Sequence, residues 1–499
     1  MTDRRDSLRV VVVGGGISGL ATAWYLEKEA AARGLPRVVC SVLEKSGRLG
    51  GKVRTETVPT EAGPFVVEAG PDSFLAIQKP WALDLAREMG LSGRLLGTND
   101  EARRIYVLSR GRPVQMPEGV MLLVPTKLSP FLLSPLISPL GKLRMGLDLV
   151  IPRRNGDEDE ALGDFVARRM GWEALDKIAE PLLSGIYSAE VARQSLLATL
   201  PRFREMERKH GSLIRAMLAD RRKGPRSGSG HERPTSMFTS FQGGTQELVG
   251  GLLKGLESEV RTDARVVALS PVASHGYAVR VVGDVSSPVG AETIQADAVV
   301  LAVPAYVAAE LLDAVSPAAA AALRSIRYVS TGTMSLAYRE DASWSSALKR
   351  LRGFGILVPA SEKRPINAIT WSSTKFRHRA PAGHSLLRVF FGGSRSPRSM
   401  ELEDGELLEV VRGELREIMG ITNQPLFHRI YRCEKGNPQY DVGHLRRVET
   451  VESALPSNVL VTGSPYRGIG LPDCVLQAAE TAARVLSELG DRRGERPCR

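Results

Sequence analysis

A β-branched run that ends abruptly in glycine fixes how the first part of this chain can fold. Leu8–Val13 is apolar except for Arg9 and reads as a parallel strand buried on both faces. It runs straight into Gly14-Gly15-Gly16-Ile17-Ser18-Gly19, and a helical stretch from Leu20 to about Ala32 follows. The spacing has a physical purpose: Gly14 permits the tight turn, Gly16 lets backbone approach a pyrophosphate, and Gly19 packs helix against strand. The helix N-terminus then aims unpaired N–H groups at phosphate. A second strand, Val38–Leu43, leads into Glu44 and Lys45, where an acid would reach ribose hydroxyls. A glycine-rich turn with an idle surface glutamate is the competing reading, and the full βαβ context argues against it. The N-terminal segment is predicted to bind a dinucleotide.

The 499 residues leave room for two or three domains, and 43% hydrophobic with 25% charged residues is ordinary globular composition. The net charge of +11 points to anionic partners: nucleic acid, an acidic membrane surface or a polyanionic small molecule. Much of the excess lies at 202–226, including Arg202, Arg204, Arg208, Lys209, Arg215 and Arg221. A single aromatic, Phe203, falls there rather than the repeated interleaving that stacks bases, so this run reads as a solvated helix face and no nucleic acid is expected. Cys40, Cys433, Cys474 and Cys498 have no short paired spacing, which argues against zinc and against a disulfide framework and fits a reducing cytoplasm. No metal site is expected. No signal peptide is visible. The most membrane-like segment, 120–140, carries Lys127 and Pro125, Pro130, Pro135 and Pro139, so a spanning helix is not expected. Peripheral contact with the inner face of the cell membrane stays open.

Just after the second strand comes Arg48-Leu49-Gly50-Gly51-Lys52-Val53-Arg54-Thr55. This resembles the Arg-x-Gly-Gly-x-x-x-Thr stretch of the two-dinucleotide-binding flavoproteins, the amine-oxidase superfamily. The resemblance implies FAD rather than NAD, with Arg48, Gly50 and Gly51 against the cofactor. It implies an α/β fold: a Rossmann-type FAD-binding domain with an inserted α+β substrate domain and a helical subdomain. The FAD domain is expected from 1–80, 236–304 and 445–490, the helical subdomain from 81–235 and the substrate domain from 305–444. Residues 223–236 read as a mobile loop, and 491–499 as a charged, disordered tail. A helix at 245–256, strands at 265–269 and 277–282, and a buried strand before Pro304 are predicted. In the superfamily the residue matching Val266 lies near the adenine. A strand at 459–463, ending at Gly463, and, after Gly470 and Leu471, a helix from near Pro472 to about Leu489 resemble the element aimed at the isoalloxazine ring.

Further blocks narrow the resemblance. They are Gly70-Pro71-Asp72-Ser73-Phe74, Arg168-Arg169-Met170-Gly171, Glu180-Pro181-Leu182-Leu183-Ser184-Gly185-Ile186-Tyr187, Gly211-Ser212-Leu213-Ile214-Arg215, Tyr440-Asp441-Val442-Gly443-His444 and Tyr466-Arg467-Gly468-Ile469-Gly470-Leu471. In this order over residues 8–488 the chain resembles the oxygen-dependent porphyrinogen oxidases of haem biosynthesis, which act on protoporphyrinogen IX or coproporphyrinogen III. The resemblance implies non-covalent FAD that takes hydrides from a porphyrinogen, with molecular oxygen as acceptor and release of hydrogen peroxide. Arg103 would pair with a propionate, with Arg104 as the neighbouring alternative; the competing reading is that both are solvated surface arginines. Gly185 would line the substrate pocket or end a helix. Gly70, Pro71, Asp72 and Ser73 would lie near the flavin, where Asp72 could move pyrrole protons or simply start a turn. Trp371 would stand near the flavin or in the core. The Gly70–Phe74 stretch looks like the soluble Gram-positive form, which with the basicity leans toward coproporphyrinogen III. An amine oxidase or a carotenoid desaturase is the nearest rival. A homodimer and contact with another enzyme of the haem pathway stay open.

Overall fold

Strand Leu8–Val13 shows why a continuous apolar run was needed. Val10 and Val12 face one core and Val11 and Val13 the other, all with at most 5% of their surface exposed. In this computed structural model, residues 7–494 are described apart from 36, 122–123, 126, 223–235, 273–275, 284–289, 342–343, 345–350 and 352. The five-stranded parallel sheet orders as Glu259–Arg261, Val38–Leu43, Leu8–Val13, Ala298–Leu301 and Val459–Val461. Chain segments hundreds of residues apart therefore share one sheet. Helices Ile17–Ala32 and Leu471–Gly494 pack together on one face. The other face carries an antiparallel meander of Ala264–Pro271, Tyr277–Gly283 and Glu292–Ala296.

A seven-stranded sheet forms the second layer, ordered Phe427–Pro438, Tyr328–Arg339, His384–Gly392, Ile366–Trp371, Gly355–Leu357, Ile105–Ser109 and Arg112–Gln115. The segment expected as a helical subdomain, 81–235, also contributes short strands. Ile105–Ser109 pairs in parallel with Gly355–Leu357, and Leu95–Gly97 pairs with Phe238–Phe241. These short strands carry no clean period of their own, and distant partners supply their hydrogen bonds. Two other expectations change at their edges. The first helix begins at Ile17, and the last runs to Gly494, so 491–494 are helical rather than tail. Residues 495–499 and most of the loop expected at 223–236 lie outside the described residues, although Ser236 is buried.

Helices Leu162–Met170, Glu180–Tyr187, Pro201–His210 and Leu213–Arg222 surround a third core that includes Phe165, Ile178 and Phe203. Part of the basic run is not a solvated face. Arg204 is 11% exposed and pairs with Glu207 at 2.8 Å, and Arg202 pairs with Asp220 at 3.0 Å. Arg169 has no exposed surface and meets the equally buried Asp148 at 2.6 Å, while Arg168 joins Glu160 and Glu207 at 3.1 and 2.6 Å. Glu160 sits just before helix Leu162–Met170 and belongs to this network.

Beside that core, Leu132, Leu133, Leu140, Leu143, Val150 and Trp172 are 60, 85, 79, 67, 74 and 73% exposed. Lys142 Nζ binds the carbonyls of Leu132 and Ser134, and Ser138 binds Glu173, which ties these segments to one another. Among the described residues no helix is long and apolar enough to cross a membrane.

Candidate cofactor and active site

At the C-terminal edge of the parallel sheet the chain must turn within hydrogen-bond range of its neighbours. Gly14 does so with φ +108°, and a Cβ there would lie 2.6 Å from the Ala302 carbonyl oxygen. A Cβ on Gly19 would come 1.9 Å from the Gly14 oxygen, so only glycine lets helix and loop meet. Gly16 differs. Its Cβ would meet nothing nearer than Gly51 Cα at 3.8 Å, which leaves open space over the uncapped helix start. That opening, above the unpaired N–H groups of Ile17, Ser18 and Gly19, is the shape and polarity a pyrophosphate needs.

Glu44 accepts the Gly15 N–H at 2.8 Å through one oxygen and both Ser46 donors through the other. It therefore braces the loop from the tip of its strand. Lys45 beside it is exposed. Strand Ala264–Pro271 starts from the same place, with Ala264 N–H on Glu44 O at 2.9 Å, and it carries the 9%-exposed Val266. Gly50 N–H reaches Gly15 O at 2.8 Å, so the two glycine stretches are stitched together. The Arg48 guanidinium donates to the carbonyls of Leu49, Val53 and Gly51; its donors hold the loop. Thr55, the last motif residue, links Glu68 to the start of helix Gln246–Gly255 through contacts of 2.7 and 3.1 Å.

Gly70 is packed so closely that a Cβ would fall 1.8 Å from Lys52 O. The Pro71 carbonyl accepts the Thr245 hydroxyl at 3.0 Å, and the Asp72 carbonyl that of Ser240 at 2.7 Å. Asp72 itself holds Lys375 Nζ at 2.9 and 3.1 Å and takes the Ser73 hydroxyl at 2.8 Å. Burial alone would raise its pKa, but Lys375 and the buried Arg388 outweigh it and hold the carboxyl at about 2. A carboxylate so stabilised is a weak proton acceptor, which favours a charge-holding role over proton transfer. Arg388 donates to Ala69 O and Gly70 O at 3.2 and 2.7 Å.

The closing loop comes from the C-terminal segment. Gly463 has φ +109° and lies against Ser18, while Gly470, Leu471 and Pro472 open the last helix. Lys52 Nζ reaches Ser464 Oγ at 3.1 Å, and Tyr440 OH bridges Ser464 O and the Gly468 N–H. His444 is fully buried, stacks on Tyr440 with ring centroids 3.9 Å apart, and donates to Tyr466 O at 2.8 Å. Its burial pushes the imidazole pKa down to about 4. Glycines 14–19, 50–51, 70 and 463–470 thus converge on one edge of the parallel sheet.

Three candidates fall elsewhere or differ in setting. Trp371 is 1% exposed within the core of the seven-stranded sheet, so it presents no face to a cofactor. It was attractive in sequence as a large aromatic, and core packing claims it. Gly185 lies inside helix Glu180–Tyr187, exposed and with open space around a would-be Cβ; it is not a helix cap. Arg103 follows a short 3₁₀ turn, is exposed, and touches Met237 Sδ at 3.8 Å. Sequence reasoning missed Lys375, Arg379, Arg388 and Glu68, since no spacing links them; the folded sheet brings them together.

The sheet order, the glycine cradle and the uncapped helix start define a dinucleotide-binding protein of the Rossmann type. Residues 17–486 match the model of the flavin containing amine oxidoreductases, and the chain belongs to that family. It is 33% identical to the coproporphyrinogen III oxidase of Bacillus subtilis (strain 168), over 96% of this chain and 98% of that one. It is 31% identical to the chloroplastic protoporphyrinogen oxidase of Oryza sativa subsp. japonica, over 96% and 88%. A crystal structure of a protein from Exiguobacterium sp. 255-15 superposes with a TM-score of 0.81 at 30% identity, covering 97% of this chain and 99% of that one. The family implies a flavin cofactor, and the open cradle at Gly16 fits its phosphate-bearing part.

Proposed function

We propose that this protein oxidises a porphyrinogen to the corresponding porphyrin in haem biosynthesis, with non-covalent FAD, molecular oxygen as acceptor and hydrogen peroxide as product. Coproporphyrinogen III is the substrate placed first and protoporphyrinogen IX second. The observation that carries this reading is near-full-length similarity to oxidases named for those two porphyrinogens. Bound FAD supplies the hydride acceptor. The chain's own residues bind and orient. The Gly14–Gly19 loop and helix start would hold the pyrophosphate, Glu44 the ribose, Val266 the adenine region and the 463–472 segment the ring. Gly70, Pro71 and Ser73 would lie near the ring, with Asp72 keeping the local charge fixed. Arg103, exposed and touching Met237 Sδ, would pair with a propionate, and Gly185 would contribute an open wall.

The test is steady-state turnover of both porphyrinogens, followed by porphyrin fluorescence, oxygen uptake and peroxide. Coproporphyrinogen III is expected to have the higher kcat/KM. A pocket built to pair four carboxylates strands cations against vinyl groups, and an unpaired buried polar group costs more than a lost apolar contact. A preference for protoporphyrinogen IX of about tenfold, roughly 1.4 kcal/mol, would reverse the order of substrates. Turnover of an amine or a carotene with neither porphyrinogen would remove the reading.

The exposed Leu132, Leu133, Leu140, Leu143, Val150 and Trp172, with the net charge of +11, support peripheral contact with an anionic membrane; a cytoplasmic location is part of the same reading. Co-sedimentation with anionic vesicles is expected, and a Leu133→Glu, Leu143→Glu double variant should stay in the supernatant. Equal behaviour of the two proteins would exclude this surface.

A further inference from the structure

We propose that Lys375 is a specificity-determining residue: it takes a carboxylate that a four-carboxylate porphyrinogen has and a two-carboxylate one lacks. The inference rests on the porphyrinogen reading above and deepens it.

The first ground is charge. Around the 68–73 segment, Asp72 faces Lys375 and Arg388, and Glu68 faces Arg379 and Arg388. Arg379 and Arg388 are 1 and 4% exposed, and backbone occupies them. Arg379 donates to Phe241 O, Gln242 O and the Ser240 hydroxyl; Arg388 donates to Ala69 O and Gly70 O. Of the three cations, Lys375 keeps the most solvent access, with 17% of its side chain exposed. A cation with solvent access beside such a loop can meet an incoming anion.

The second ground is position. Lys375 ends the short turn Ser372–Lys375, and its carbonyl accepts the Asn99 N–H at 2.9 Å. That bond ties it to the loop that carries Arg103. Arg103 reaches Met237 Sδ at 3.8 Å, and Lys375 Nζ lies 5.9 Å from the ring of the next residue, Phe238. The two cations thus flank adjacent residues at the start of one strand, beside the loop of Gly70 to Ser73. Lys375 Nζ also sits 5.1 Å from the Phe376 ring, so aromatic faces hold its stem in place. Of its three polar contacts, the longest is 3.3 Å to Ser73 Oγ. That hydroxyl already donates to Asp72, so a substrate carboxylate can replace it without stranding a donor. Arg103 is open to a carboxylate common to both porphyrinogens; Lys375 then meets one of the positions where they differ.

The experiment compares wild type, Lys375→Met, Lys375→Arg and the double variant Asp72→Asn, Lys375→Met, which leaves no stranded carboxylate. Flavin content is read from visible absorbance, and kcat and KM from turnover of coproporphyrinogen III and protoporphyrinogen IX. In Lys375→Met, KM for coproporphyrinogen III is expected to rise about tenfold, as for loss of a charge-assisted bond, with KM for protoporphyrinogen IX unchanged or lower. Lys375→Arg should recover most of the preference, and the double variant should show the same loss of preference as Lys375→Met. An unchanged ratio of the two kcat/KM values in both Met-containing variants overturns the proposal. Loss of flavin from both assigns Lys375 to the integrity of the loop and overturns it as well. A wild type that oxidises neither porphyrinogen sinks the functional reading instead, which keeps the two failures distinct.

Discussion

Gly16→Val is expected to yield folded but colourless protein. Gly16 has φ −75° and ψ 175°, an extended conformation open to any residue, and its Cβ would clear every neighbour by 3.8 Å or more. The fold should therefore accept valine. A pyrophosphate on the helix start should not, because the added methyl groups project into the space above the N–H groups it would use. Gly19→Val is the contrasting control. Its Cβ would fall 1.9 Å from the Gly14 oxygen, so that variant should fail to fold rather than merely lose colour. Circular dichroism and the flavin absorbance band, measured on the same samples, separate the outcomes. A folded Gly16→Val protein with full flavin content would remove this loop from the phosphate site.

Asp148→Ala is expected to destabilise the helical region by about 3–5 kcal/mol, the usual cost of leaving a buried charge unpaired. Arg169 and Asp148 are both without exposed surface and 2.6 Å apart. Arg169 also donates to the carbonyls of Asp148, Ile151 and Gly211 at 3.0, 2.9 and 2.6 Å, so it cannot simply swing out to water. Asp148 in turn takes the Ser212 hydroxyl at 2.6 Å and the Ile214 N–H at 3.0 Å. Glu207, 3.7 Å from Arg169, is already engaged by Arg168 and Arg204 and offsets little of the loss. Thermal unfolding of Asp148→Ala and of Asp148→Leu, Arg169→Met tests the argument. The double variant should recover much of the stability, because it strands no charge. If it is no more stable than the single one, the lost bonds to Ser212 and Ile214 carry the effect rather than the ion.

These two predictions draw on parts of the chain that differ in how far the sequence exposes them. The Gly16 argument was legible in the linear order: a buried strand, glycines at fixed offsets and a helix lie within one short stretch, and local backbone sterics dictate each spacing. The same holds for Gly50 and Gly51, the strand before Pro304 and the helix after Gly470. Their chemistry is local, so the residues that need one another stand close together. The Arg168-Arg169 pair was legible only as a motif. Its purpose, an ion network with Asp148, Glu160 and Glu207, depends on helices far apart in sequence closing on one core.

Tertiary structure alone decided the rest. A short strand has no stable identity until a partner supplies hydrogen bonds, and so Ile105–Ser109 joined a sheet built mostly from residues beyond 328. Trp371 could have faced a ligand or a core, and the packing of Tyr106, Ile356 and Leu387 took it into the core. Asp72 could have been a base, until Lys375 and Arg388, more than three hundred residues away, fixed its charge. Sequence determined the nucleotide fold because backbone geometry is a near-neighbour property. Charge and burial at the substrate side depend on distance in space, which only the folded chain sets.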